Sequence, residues 1–142
     1  MTRKPLDVFE ELKKLDLPSG EYIVLGSGIL GALGIRDIND VDLLVSPQLF
    51  EKLLTDGWMY AEVEIEGRTR KKAYRDHYEA YQDFWYGTER PDAKQLISDA
   101  VTVRGFSFLS LEKLMEIKTV MGREKDLQDV LLIQKYLMQR HG

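Results

Sequence analysis

Asp40 and Asp42 stand one residue apart at the head of the apolar run Val41-Asp42-Leu43-Leu44-Val45. In an extended strand alternate side chains share a face, so both carboxylates leave the same side. Two anions that close repel, and each raises the other's pKa unless a cation compensates. A hard divalent ion, Mg2+ or Mn2+, matches carboxylate oxygens combined with substrate phosphates. Alone, an Asp-x-Asp is common and equally describes two solvated acids at a loop end. Upstream, however, the apolar run Tyr22-Ile23-Val24-Leu25 enters Gly26-Ser27-Gly28 and a helix start. That sequence offers backbone N–H groups and a hydroxyl to a phosphate, although a tight turn needs the same residues. Taken together, a phosphate cradle and a carboxylate pair on neighbouring strands are what metal-assisted phosphoryl or nucleotidyl transfer requires.

A second charged cluster, Lys118, Arg123 and Lys125, falls at the end of one predicted helix and the start of the next. Basic residues there complement a helix dipole, and pairing with Asp126 and Asp129 would fix the angle between the helices. The alternative is direct contact with a triphosphate. His77 and His141 are the only histidines and are far apart in sequence, so no histidine metal site or triad is assembled from them. Gly26-Ser27-Gly28-Ile29-Leu30-Gly31 also reads literally as the G-x-G-x-x-G of a dinucleotide-binding oxidoreductase. Against this, Gly31 and Gly34 interrupt the helix that must follow, and the acids open the second strand where a ribose-binding acid should close it.

The positioning elements can be read from periodicity and caps. Val8, Phe9, Leu12 and Leu15 fall at helical spacing behind Asp7 as N-cap. Tyr22–Leu25 is a buried strand, Ile29–Leu33 a brief helix and Val41–Val45 the next strand. Ser46-Pro47 opens a helix to about Leu54. Ala61, Val63 and Ile65 alternate with Glu62, Glu64 and Glu66, a half-exposed strand that Gly67-Arg68 turns into Thr69–Arg75. Tyr78–Trp85 reads as a further strand. Asp92 caps a helix over Ala93–Ala100, and Val101–Val103 and Phe106–Phe108 flank Arg104-Gly105 as a hairpin. Ser110 caps a helix from Leu111 to about Met121, and after Gly122 a last helix runs to about Arg140. The sum is one α+β domain over residues 1–142, a mixed β-sheet flanked by helices.

Composition narrows the function. With 142 residues, 44% of them apolar, the chain can bury a full core. A net charge of -4 argues against a general electrostatic binder of nucleic acid. The absence of cysteine removes disulfides, thiolate metal sites and cysteine nucleophiles. No apolar run of signal-peptide or membrane-span type is present, so a cytoplasmic protein with no membrane association is expected.

Gly26-Ser27 followed by Asp40-Val41-Asp42-Leu43 resembles the Gly-Ser/Asp-x-Asp signature of the DNA polymerase β-like nucleotidyltransferase superfamily, specifically its small stand-alone members. The stretches Gly34–Val45, Phe108–Leu114 and Gly122–Val130 carry the resemblance further, so that it spans about Tyr22 to Leu137. It implies a nucleotidyltransferase-like fold and a transferase that binds a nucleoside triphosphate through magnesium or manganese. The NMP would pass to an acceptor hydroxyl on RNA, protein or a small molecule, with a protein partner supplying acceptor recognition. Asp40 and Asp42 would be catalytic metal ligands, with Gly26, Ser27, Lys118 and Arg123 on the nucleotide. The family adds a third carboxylate from a later strand, which Glu79 matches in mid-strand position, with Asp83 as the alternative. Neighbours Tyr78 and Ala80 depart from the aliphatic flanks usual for that acid. A catalytically inactive nucleotide-binding or partner-binding module on the same fold is the alternative reading.

Overall fold

The computed structural model describes residues 5–65 and 67–141; Met1 to Lys4, Glu66 and Gly142 lie outside them. Asp7 accepts hydrogen bonds from the Phe9 and Glu10 amides, which starts α1 (Val8–Leu15). A buried three-residue strand, β1 (Tyr22–Val24), leads into the short helix α2 (Gly28–Ala32) and then β2 (Val41–Val45). The Ser46 hydroxyl accepts from the Leu49 amide and Pro47 takes the first turn of α3 (Pro47–Thr55). Three strands follow, β3 (Met59–Ile65), β4 (Arg68–Arg75) and β5 (Tyr78–Tyr81). In β3, Ala61 and Val63 are half-buried while Glu62 and Glu64 are exposed, the alternation expected. The chain continues through α4 (Ala93–Ser98), β6 (Val101–Val103), β7 (Phe106–Phe108), α5 (Leu111–Met121) and α6 (Glu124–His141). Gly122, at φ 63, ends α5 in the left-handed conformation that glycine adopts without strain.

All seven strands join one mixed sheet in the order β3-β4-β5-β2-β1-β7-β6. The β2–β5 and β1–β7 pairs are parallel and the others antiparallel. Central β1 and β2 bury all but Asp42, which is half-buried, as strands covered on both faces should. Tyr78 stacks on Trp58 with ring centroids 5.9 Å apart, and its hydroxyl meets Glu11 of α1. Because strand side chains alternate, Glu79 leaves the opposite face from Tyr78. The acids therefore lie on the side away from α1.

One expected element is shorter than its sequence pattern. The strand predicted over Tyr78–Trp85 stops at Tyr81, and the chain leaves the ladder at Gln82. Phe84 and Trp85 lie instead beside the Arg70 guanidinium, 5.8 and 5.3 Å from its carbon, and the Asp83 carbonyl accepts an Arg70 N–H at 2.8 Å. Aromatic burial holds this segment without strand pairing. Among the described residues no helix is long and apolar enough to cross a membrane.

Candidate functional site

The parallel register of β2 and β5 sets Asp42 directly opposite Glu79. It is fixed by the sheet ladder and by flanking bonds: the Val41 amide donates to the His77 carbonyl at 2.9 Å, and the Leu25 amide to the Asp42 carbonyl at 2.8 Å. The second bond brings the turn after β1 against the acid. Gly26 there has φ +56, and a Cβ built on it would stand 3.7 Å from the Asp42 Oδ2 atom. Glycine thus lets the backbone turn left-handed beside the carboxylate. Asp40 lies one residue before β2, exposed, and near enough for its charge to act on Asp42.

These charges do not share one environment. Burial, then repulsion from Glu79 and Asp40, pushes the Asp42 carboxyl up to about 6 against attraction from Arg70 and Lys72. Its carboxylate receives no hydrogen bond among the described residues. Glu79 is the reverse case. Burial raises it, but hydrogen bonds from Lys72 and Tyr81, each 2.9 Å, hold it below the ordinary glutamate range. Arg70 lies 3.8 Å over the Tyr81 ring and completes a cationic border on this side.

Asp42 lines a cleft of about 460 Å³ together with the Gly26-Ser27 turn and residues of helices α5 and α6. One wall is a continuous ionic chain. The Arg36 guanidinium donates to the Ser27 hydroxyl at 2.6 Å and to both Asp129 carboxylate oxygens at 2.7 and 2.9 Å. Asp129 also takes Lys118 at 2.9 Å, Lys118 lies 3.5 Å from Asp126, and Arg123 reaches Asp126 at 2.6 Å. Burial raises both aspartates, yet these cations keep them below the usual range. Phe84, Leu114, Met121 and Leu132 supply an apolar remainder.

Gly26, Ser27, Asp42, Lys118 and Arg123 therefore line one cleft, with Glu79 beside Asp42 by register. Asp83 is not among the residues that line this cleft. It falls beyond β5, so its four-residue spacing from Glu79 no longer implies a shared strand face. Its carboxylate faces Arg70 at 3.7 Å and Arg90 at 3.9 Å. The phosphate cradle expected at a helix start is also altered. Helix α2 has five residues, the Gly28 amide donates to the Leu25 carbonyl, and the Ser27 side chain makes no cap. Positive charge in the cleft comes from the side chains of Arg36, Lys118, Arg123 and Lys125, not from a helix dipole.

Arg36, Arg70 and Lys72 had no role in the sequence reading. The last two were signalled by a basic i, i+2 pattern on β4, where half-buried Arg70 and Lys72 share a face. Arg36 carried no local signal, since Asp129 is far along the chain. A buried carboxyl pushed to about 6, with like charges at hand and no hydrogen bond, fits a hard divalent cation. Among the described residues no three His, Cys, Asp or Glu side chains converge closely enough to form a ready-made metal cage. Asp40 is the carboxylate that, with Glu79, acts most strongly on Asp42, so these are the acids that could share a cation with it. No family model, curated protein or solved structure matches the chain.

Proposed function

We propose that this chain is a metal-dependent nucleotidyltransferase with a polymerase β-like nucleotidyltransferase fold, moving an NMP from a nucleoside triphosphate to an acceptor hydroxyl. One observation carries the reading: Asp42 and the cations Arg36, Lys118 and Arg123 face the same cleft, whose mouth is the Gly26-Ser27 turn. An acid in need of a cation and a set of cations lining the same cleft suit a phosphate chain bound there. Asp40 and Asp42 would hold Mg2+ or Mn2+, which supplies Lewis-acid stabilisation of charge on the α-phosphate. Arg123, half-exposed, binds the β- and γ-phosphates, and Lys118 orients them from its ion pairs with Asp126 and Asp129. Arg36 fixes the Ser27 hydroxyl at the turn. The acceptor hydroxyl gives its proton to solvent as its oxygen bonds the α-phosphorus, the bond to the bridging oxygen breaks, and pyrophosphate leaves against the cationic wall. The apolar side with Phe84 and Met121 accommodates the base. The acceptor, on RNA, protein or a small molecule, is proposed only as a hydroxyl.

The test is isothermal titration of each nucleoside triphosphate with and without Mg2+, followed by transfer of labelled nucleotide into cell extract. Metal-dependent binding lost in Asp40→Asn/Asp42→Asn supports the reading, and equal affinity in excess chelator sinks it. The engagement of Glu79 by Lys72 and Tyr81 favours a second reading, an inactive nucleotide-binding or partner-binding module on the same fold. Metal-dependent binding with no label transferred to any acceptor would select that one.

A further inference from the structure

We infer that Lys72 is a built-in cation of the acid pair, holding Glu79 out of metal coordination so that the site takes one divalent ion rather than two. The inference rests on the nucleotidyltransferase reading above. The antiparallel register of β4 and β5 sets Lys72 opposite Tyr81 and Tyr74 opposite Glu79. Lys72 and Glu79 are therefore diagonal neighbours on one face, within reach of a long side chain. Both glutamate oxygens are engaged: Lys72 Nζ donates to Oε1 at 2.9 Å and the Tyr81 hydroxyl to Oε2 at 2.9 Å.

The lysine is held on its other side too, with its Nζ 5.2 Å from the centre of the Tyr74 ring. Its side chain is 19% exposed, so the contact is packed and not a loose surface pair. Asp42, the cross-strand partner of Glu79, receives no comparable bond among the described residues and stays available. A two-metal centre needs carboxylates that serve ions about 3.5–4 Å apart. Here the third carboxylate already serves an ammonium, which occupies the place a second ion would take. The absence of a converging three-acid group among the described residues agrees with this.

Counting Mn2+ bound per chain, by titration calorimetry and by loss of the free-ion paramagnetic resonance signal, tests the assignment without an activity assay. Expected counts are one in the wild type, one in Lys72→Arg and in Glu79→Gln, and two in Lys72→Met, where Glu79 Oε1 is released. Lys72→Met/Glu79→Gln should return to one, which ties the extra ion to that carboxylate. Two ions on the wild type, or loss of the single ion in Glu79→Gln, overturns the lysine's role even if Lys72→Met does not fold. One ion in a folded Lys72→Met overturns it as well. No Mn2+ on any of these proteins overturns the metal-dependent reading itself, and this inference with it.

Discussion

Arg36 and Asp129, 93 positions apart, are joined by two hydrogen bonds of 2.7 and 2.9 Å. This bidentate pair ties the loop before β2 to helix α6, and through the Ser27 hydroxyl it reaches the turn that forms the mouth of the cleft. Asp129 serves Lys118 as well, so its loss leaves Arg36 without its anion and Lys118 with Asp126 alone. Removing one member of a buried ionic group costs roughly 3–5 kcal/mol, less where water reaches the survivor. Asp129→Ala should therefore lower stability by about 3 kcal/mol in urea unfolding. Arg36→Ala should cost less, about 1–2 kcal/mol, because Lys118 keeps its bond to Asp129. Equal losses would mean that Lys118 contributes nothing to holding Asp129.

The position of Asp42 sets a pH signature. Its carboxyl moves from 3.8 to about 6 on folding, so the folded chain binds more protons between those values. The side chain's contribution to stability therefore falls as pH rises from about 4 to about 6, at ~1.4 kcal/mol per unit at most. Above that window the charged form is a standing penalty. Asp42→Asn should be more stable than wild type at pH 8 by about 1–3 kcal/mol, with the gain vanishing near pH 4. Asp126 and Asp129 act oppositely, since their lowered values give stability that is lost as pH falls. Both proteins share those groups, so the difference between their melting curves isolates Asp42. A difference that does not change between pH 4 and pH 8 would show that Asp42 is not the strained acid.

Divalent metal should reverse the ranking. Mg2+ or Mn2+ at millimolar concentration is expected to raise the wild-type melting temperature and leave Asp42→Asn unchanged, because a ligand stabilises only the state that binds it. Parallel shifts in both proteins would place the cation elsewhere.

Arg123 offers a probe of the anionic ligand. Its side chain is about half exposed while its partner Asp126 is buried and also faces Lys118. Arg123→Gln should weaken pyrophosphate and nucleoside triphosphate binding roughly 10-fold, in line with about 1.4 kcal/mol for one charge-assisted contact. The salt dependence of binding should become shallower at the same time. Affinity unchanged at low and high salt would leave Arg123 a purely structural residue.

Gly28 answers a packing question that the glycine-rich motif left open. A Cβ there would clash with the Val24 Cγ1 atom, and Val24 is fully buried in β1. Gly28→Ala should destabilise the fold by about 1–3 kcal/mol through overpacking, and Val24→Ala in the same chain should recover part of the loss. A neutral Gly28→Ala in thermal unfolding would show that the turn can move.

Most of the element order was legible because caps and apolar periodicity are local. Asp7, Ser46, Asp92 and Ser110 each accept from amides two or three residues on, and a reader needs only the next turn to see it. The end of β5 was not legible, since Phe84 and Trp85 have strand-like character but are buried by a guanidinium from β4. The site divides in the same way. The Gly26-Ser27 turn and the Asp40/Asp42 pair are short-range patterns. That Lys72 reaches Glu79 follows from register across the turn at Asp76 and His77, and that Arg36 reaches Asp129 follows from tertiary packing alone.

The long tie between Arg36 and Asp129 also has a temporal meaning. During synthesis the turn, the acid pair and Arg36 emerge well before α6, so the cationic wall has no anions to organise it while the chain is growing. Strand β1 likewise gains its β7 neighbour late. Contacts of such sequence separation make folding slow. A ribosome-bound chain stalled before α6 would hold every residue of the acid pair and yet lack Asp126 and Asp129, the anions that set Arg36, Lys118 and Arg123 in place.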